Sequence, residues 1–179
     1  MNKKIRIWHP KHLTMIPFSR NVVGPMDFTP VCFGEIRGKQ RRTSNGFEIA
    51  LSVILQSGIS HFVEIPQSMA KQPDFVIDFM KNVPHSWDDI RLLEGFPGKY
   101  TVIARKSDDK WYIGGINSQS EPITLNIDLT QLKRKQPIKS VTIITDGNIN
   151  RDFIQKEEVL DNNKLKITIR PSGGFVCVY

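Results

Sequence analysis

The sequence contains no apolar stretch that approaches the ~20 residues of a transmembrane helix, so we expect no membrane partner. The basic N-terminus MNKKIRIWHPKH is not followed by the apolar segment of a signal peptide. A chain that begins at Met1 is therefore expected to stay in the cytoplasm. The apolar and charged fractions are those of an ordinary globular protein.

Cysteine is scarce, since only Cys32 and Cys177 occur. Neither cysteine lies in a CxxC pattern or has a cysteine or histidine partner at the spacing of a zinc site, which argues against structural zinc. The sequence favours two buried thiols and leaves a disulfide between them open.

The net charge of +7 is concentrated near the N-terminus. Residues 1–42 hold nine lysines and arginines against Asp27 and Glu35, whereas basic and acidic residues balance in the remainder. The run RGKQRR, residues 37–42, is either a nucleic-acid contact or a solvated loop ahead of a helix. Because no interleaved aromatic residues or known binding motif accompany this run, we expect no nucleic-acid partner.

The first half of the sequence alternates between strand-like and helix-like segments. Residues 12–18 and 59–64 have the length and apolarity of strands. Between them lies an apolar pattern of helical spacing, with Ser44 or Asn45 as the N-cap and Gly58 as the C-terminal cap. A second helix is predicted within QPDFVIDFMKNVP. This order predicts two consecutive β/α units.

From about Gly98 onward the pattern changes to alternation and tight turns. YTVIAR and WYIGGIN flank a polar connection, as in a hairpin, and ITLNIDLT, SVTIITDGN and LKITIRPSGGFVCVY continue the pattern. Roughly five to seven short strands at this spacing predict an antiparallel sandwich. The predicted fold class is therefore α/β plus all-β, with a boundary between residues 1–90 and 91–179.

Three strings of the sequence resemble the carboxy-terminal part of glycoside hydrolase family 97: IPFSRNVVGPMDFTP, FEIALSVILQSGISHF and VPHSWDDIRLLEGFPGKYTVIARKSDDKWYIGGIN. Members of that family are α-glucosidases and α-galactosidases, found largely in gut Bacteroidetes. The resemblance runs from about His9 to Tyr179. It implies that residues 1–90 are the last two β/α units of a (β/α)8 barrel and that residues 91–179 are a small C-terminal β-sandwich.

In that family, glutamates upstream of the matched region supply the general acid, calcium ligands and, in inverting members, the base. None of them has a counterpart in this sequence. The resemblance implies an oligosaccharide substrate and a periplasmic location for full-length members, but no catalytic residue and no calcium site in this chain. We therefore expect a fragment that is inactive alone and self-associates through exposed barrel surface. The alternative is a non-catalytic carbohydrate-binding or assembly module.

Arg20, Asn21 and Asp27, on the loop after the first predicted strand, are the candidate sugar-pocket residues. Arginine and asparagine donate to hydroxyl groups, and aspartate accepts from them. The alternative is that Arg20 and Asp27 pair with each other or with the loop backbone. Glycoside hydrolysis needs two carboxyl groups across one bond. Asp27 and Glu64 are the acids nearest the predicted barrel rim, but the resemblance gives neither of them that role.

Trp111 and Tyr112 are neighbours in a predicted strand, so their side chains point to opposite faces. One ring is expected in the core, and the other faces either solvent or the barrel. An exposed ring there is a platform on which a sugar could stack, whereas two packed rings belong to the core.

Overall fold

A computed structural model describes residues 10–34, 41–58, 61–134, 138–149 and 151–179. Within these ranges the first half of the chain is helical and the second half consists of strands. The helices are α1 (Pro10–Leu13), a 3-10 helix (Ile16–Phe18), α2 (Arg20–Val23), α3 (Asn45–Ile54), α4 (Pro66–Met69) and α5 (Asp74–Asn82). The strands are β1 (Asp89–Phe96), β2 (Tyr100–Ser107), β3 (Lys110–Asn117), β4 (Ile123–Asp128), β5 (Ser140–Asp146), β6 (Phe153–Val159), β7 (Lys164–Ile169) and β8 (Gly174–Val178).

The strands form two antiparallel sheets, as the alternation predicted. The larger sheet has the order β1-β2-β3-β8-β5-β6, and β4 pairs with β7 in the smaller one. The predicted hairpin is β2 and β3, which pair from Tyr100–Asn117 to Ser107–Lys110. Apolar side chains from both sheets form one core: Val102, Ala104, Trp111, Ile113, Ile127, Val141, Ile143, Leu165, Ile167, Phe175 and Cys177.

Helix α3 covers the opposite face of the larger sheet. It begins after Ser44, whose hydroxyl accepts the Phe47 N–H at 3.1 Å, so the predicted N-cap is confirmed. Its apolar side chains pack against those of the sheet in a second core, which includes Phe47, Ala50, Leu51, Ile54, Ile103, Tyr112, Ile116, Ile144 and Val176. The same helix therefore shares a core with the strands that follow it much later in the chain.

The prediction of a strand over residues 12–18 is wrong. This stretch lies in α1 and the 3-10 helix, where the Thr14 N–H donates to the Pro10 carbonyl at 3.1 Å and the Phe18 N–H to the Met15 carbonyl at 3.1 Å. A strand needs partners on its edges for its backbone groups, and the described part of the chain offers no parallel neighbour here. Helical turns satisfy the same groups locally.

The second predicted strand and the predicted end of α3 also differ from the structure. Residues 61–65 belong to no assigned strand, although the Val63 N–H donates to the Pro30 carbonyl at 3.1 Å. Residues 59–60 and 37–40, parts of the predicted strand and of the basic run, lie outside the described residues. Helix α3 ends at Ile54, and its C-cap is Leu55, which is extended with φ −89° and ψ 135°, so Gly58 is not its cap.

Three further features bear on the predictions. Cys32 and Cys177 are both buried and free, which confirms two separate thiols and not a disulfide. No helix within the described ranges is long and apolar enough to cross a membrane. The predicted second helix is confirmed as α5, which buries Val76, Phe79 and Met80.

Candidate functional site

A cavity of about 570 Å³ lies between the segment 31–34 and the residues around α4. We call it the loop cavity. Its wall includes an aromatic ring and a set of polar and charged side chains: Phe33, Glu64, Gln67, Ser68, Lys71 and Arg151. Its volume falls within the range of about 300–1,000 Å³ that is typical of small-molecule sites.

Two carboxylates hold the backbone of the segment 31–34. Glu48, from α3, accepts the Cys32 N–H at 3.2 Å, and Glu64 accepts the next N–H, that of Phe33. Glu64 also accepts the Ile65 N–H at 3.0 Å. Just before these contacts, Val31 has φ 66°, a left-handed conformation that costs a β-branched residue about 1–3 kcal/mol. The carboxylates therefore fix a strained backbone that forms the cavity wall.

The Glu48 carboxylate is buried, and burial raises its pKa. The Thr43 hydroxyl, which donates to it at 2.5 Å, and the nearby Arg41 guanidinium oppose this shift. Arg41 donates to the Phe33 carbonyl at 3.0 Å and to Asn45 Oδ1 at 2.5 Å. Both side chains are thus engaged in holding the segment 31–34 and the start of α3.

The Cys32 thiol next to this cluster is a poor nucleophile. Burial raises its pKa, and the charges of Glu64 and Glu48 raise it further. Because only the thiolate attacks, this environment is unsuited to covalent catalysis. In the part of the chain that the structure describes, no three His, Cys, Asp or Glu side chains come together to hold a metal ion.

The predicted sugar-pocket residues lie outside the lining of the loop cavity. Arg20 is exposed and donates to the Gly24 and Pro25 carbonyls at 3.2 and 3.1 Å, so the loop-backbone alternative describes this side chain. Asn21 exchanges bonds with the backbone of Gln56, donating at 3.3 Å and accepting at 3.4 Å. Asp27 is exposed. The assignment of these residues to a sugar pocket remains a prediction.

Trp111 and Tyr112 both belong to cores, so core packing is confirmed. Trp111 faces the core between the sheets, where its Nε1 donates to the Lys133 carbonyl at 3.3 Å. Tyr112 faces the helices, and its ring centroid lies 5.5 Å from that of Trp87 and 6.4 Å from that of Phe79. Neither ring is an exposed stacking platform.

Sequence reasoning missed two buried charges that position α3. Asp146, at the end of β5, accepts the Ser44 hydroxyl at 2.8 Å and the Gly46 N–H at 2.7 Å at the helix N-terminus. Arg105, from β2, donates to the Val53 and Ile54 carbonyls at 2.5 and 3.0 Å at the helix C-terminus. We call this pair the α3 clamp.

The two charges of the α3 clamp stabilise the helix dipole, because the anion lies at the N-terminus of α3 and the cation at its C-terminus. Burial lowers the pKa of Arg105 to about 10, so its guanidinium remains charged at neutral pH. Burial raises the pKa of Asp146, against the three hydrogen bonds that its carboxylate accepts. By fixing α3, the clamp also fixes Glu48 and therefore the wall of the loop cavity.

Comparison with known proteins identifies the family. Residues 86–179 match the family description "Glycosyl-hydrolase 97 C-terminal, oligomerisation". The chain belongs to glycosyl-hydrolase family 97. The resemblance noted in the sequence is confirmed, and the chain is a C-terminal portion of a family 97 protein.

The curated relatives that the chain matches are much longer than this chain, which spans about a quarter of their length or less. It is 30% identical over 182 residues to the retaining α-galactosidase of Bacteroides thetaiotaomicron, covering 92% of this chain and 26% of that protein. It is 41% identical over 110 residues to a probable retaining α-galactosidase of Streptomyces bingchenggensis, covering 62% of this chain and 17% of that protein.

Solved structures of similar proteins have the same fold over nearly the whole chain. A β-arabinopyranosidase crystal structure superposes with a TM-score of 0.84 at 31% identity, covering 95% of this chain and 27% of that one. A family 97 enzyme from a Pseudoalteromonas species, in complex with panose, superposes with a TM-score of 0.80 at 28% identity, covering 94% and 28%. The same Pseudoalteromonas enzyme has also been solved with acarbose.

Proposed function

We propose that this chain is the C-terminal part of a family 97 enzyme that hydrolyses terminal α-linked galactose from oligosaccharides. Two curated relatives are named as α-galactosidases, which supports galactose, and similar structures hold the oligosaccharides panose and acarbose. In the longer protein, residues 10–83 belong to the C-terminal end of a barrel, to which the described residues of this segment contribute helices and no strand. Helix α2, with Arg20 and Asn21, and the segment after it, with Asp27, then form one wall of the sugar pocket.

For this chain alone, the proposal rests on the hydrogen bonds of the two carboxylates that hold the segment 31–34. Glu48 and Glu64 accept backbone N–H groups of Cys32, Phe33 and Ile65, and Thr43 donates to Glu48. A glycosidase needs one carboxyl group free to protonate the leaving oxygen and another free to support attack on the sugar. Carboxylates that hold the backbone do not meet this requirement, so the chain by itself is inactive.

We expect the purified chain to hydrolyse neither p-nitrophenyl α-galactoside nor p-nitrophenyl α-glucoside above the buffer rate. The loss of one acid or base group costs about 10²–10⁴ in rate, and here both are missing. Added calcium is expected to change nothing. The measurement is p-nitrophenol release with and without calcium, on chain whose folding is verified by circular dichroism.

The full-length Bacteroides α-galactosidase, assayed in parallel, is the positive control. The double variant Asp27→Asn and Glu64→Gln tests whether these two acids, to which the resemblance gives no catalytic role, are nevertheless a catalytic pair. Turnover by the chain that this double variant abolishes would show that Asp27 and Glu64 are catalytic, and the proposal of an inactive portion would be wrong.

A second role, in assembly, is favoured by the edge strand β1. Among the residues that the structure describes, this strand pairs with β2 alone. It exposes three large apolar side chains, Ile90, Leu92 and Phe96, which are 46, 50 and 54% exposed. An edge strand with exposed apolar side chains can act as a template for pairing with a second strand. The matched family is itself described by oligomerisation. We propose that β1 is where two copies associate.

We expect light scattering to find a dimer or larger species for the wild-type chain and a monomer for Leu92→Lys, because a lysine on an edge opposes pairing. The matched control is Val159→Lys on the other edge strand, β6, where Val159 is 77% exposed. A monomeric wild type, or an assembly that Leu92→Lys leaves intact, contradicts this role for β1.

A further inference from the structure

A second groove lies between α5 and the helix-facing side of the larger sheet. Its volume is about 560 Å³, and it shares no lining residue with the loop cavity. We call it the α5 groove. A volume of this size is typical of small-molecule sites, which fall at about 300–1,000 Å³. The sheet that forms its floor belongs to the region that matches the family description.

The floor of the α5 groove is apolar and rigidly held. Phe79, Tyr112, Ile144 and Val176 form it, and all four are buried in the core between the helices and the sheet. The Tyr112 hydroxyl donates to the Asn82 carbonyl at 3.3 Å, which fixes the ring against the end of α5. Val178 also lines the groove and is 37% exposed, so it adds accessible apolar surface to this floor.

The rim of the α5 groove is polar. Asp78 lies on α5, Lys110 on β3, Thr142 on β5 and Gln155 on β6, and all four residues are exposed. Within the described part of the chain these four side chains form no hydrogen bond with one another or with the backbone. Their carboxylate, ammonium, hydroxyl and amide groups are therefore available to a ligand.

The combination of floor and rim selects a class of ligand. An apolar floor beneath hydrogen-bonding groups fits a molecule with an apolar face and a ring of hydroxyl groups, as a pyranose sugar has. The charges of Asp78 and Lys110 are opposite, so the rim does not favour an anion or a cation. This balance favours a neutral saccharide over a charged one.

We propose that the α5 groove is a non-catalytic binding site for a short neutral oligosaccharide, separate from the pocket in which the longer enzyme cleaves the glycosidic bond. Such a site holds a polymeric or oligomeric substrate at the enzyme without taking part in the reaction. The proposal does not depend on which sugar the enzyme releases. Because all of the residues that line the groove belong to this chain, it can be tested on the chain by itself.

The test uses the full chain, isotope-labelled at Ile and Val methyl groups, titrated with raffinose and with maltotriose. We expect saturable binding that shifts the methyl signals of Ile144, Val176 and Val178, which line the α5 groove. The signals of Val63 and Ile65, which line the loop cavity, should stay in place. A trigalacturonate, which is a charged trisaccharide of the same length, should bind more weakly than either neutral sugar.

Two variants locate the site independently of the spectra. The double variant Asp78→Ala and Gln155→Ala removes rim groups and is expected to weaken binding about tenfold or more while leaving the melting temperature unchanged. The matched variant Gln67→Ala and Lys71→Ala, in the loop cavity, should bind like the wild type. No binding, binding that shifts Val63 and Ile65 instead, or binding that only the loop-cavity variant weakens would overturn the proposal.

Discussion

Replacing Gly46 by alanine is expected to destabilise the protein by about 3 kcal/mol or more. An alanine Cβ at this position would lie 2.8 Å from the Asp146 carboxylate and still closer to the Gly174 carbonyl oxygen. The Gly174 carbonyl belongs to the backbone of the central strand β8 and cannot rotate away like a side chain. The clash is therefore relieved only if α3 moves off the sheet, which breaks the contacts of the α3 clamp. Urea denaturation followed by circular dichroism measures the loss.

The expected direction of the stability change is the opposite of the usual effect of this substitution, so the test gives a clear answer. In an unconstrained helix, replacing glycine by alanine stabilises by about 1 kcal/mol, which is the opposite result. Gly58→Ala is the matched control, since the nearest atom to its Cβ would be Pro25 Cβ at 4.0 Å. A Gly46→Ala protein as stable as the wild type would mean that α3 does not lie this close to β8.

The elements that the sequence predicted well are those whose pattern is local. The β2–β3 hairpin has a short polar turn between two apolar runs, α3 has a capping serine ahead of its apolar residues, and α5 buries one face, so each of these signals was visible in the sequence. Strands β1 and β6, which went unpredicted, lie at the two edges of the larger sheet. Edge strands are partly exposed on both faces, and their pattern is therefore weak.

The short apolar stretch at residues 12–18 shows a different limit. Its length and composition suit a strand, a buried helix or a helical turn equally well. Only the presence or absence of a pairing partner decides between them, and that information is not contained in the stretch itself. The prediction failed because it assumed neighbours that the described part of the chain does not provide.

The α3 clamp could not be predicted from the sequence because its partners are far apart along the chain. Asp146 is 100 residues from Gly46, and Arg105 is 52 residues from Val53, so no local spacing joins them. One signal was available. Gly114 lies inside the predicted strand WYIGGIN, and a glycine within a strand often marks a close backbone approach. In the structure, a Cβ there would lie 3.0 Å from the Ala50 carbonyl of α3.

Replacing Arg105 by methionine is expected to destabilise the protein by about 2 kcal/mol, which lowers the melting temperature by about 4–8 °C. Arg105 is only 2% exposed, and its guanidinium supplies the donors for the Val53 and Ile54 carbonyls at the end of α3. Methionine retains the apolar stem but leaves both buried carbonyls without these donors. Some of the loss is offset because a buried charge is also removed.

The matched control is Arg91→Met on the neighbouring strand β1. Arg91 pairs with Asp89 at 2.6 Å, but its side chain is 45% exposed, so this change should alter the stability by less than about 0.5 kcal/mol. Arg105→Lys keeps the charge but not the fork of donors, and it should fall between the wild type and Arg105→Met. If Arg105→Met is as stable as the wild type, water or the helix itself satisfies the two carbonyls. The sheet then holds α3 by apolar packing and by Asp146, without a contribution from the cation.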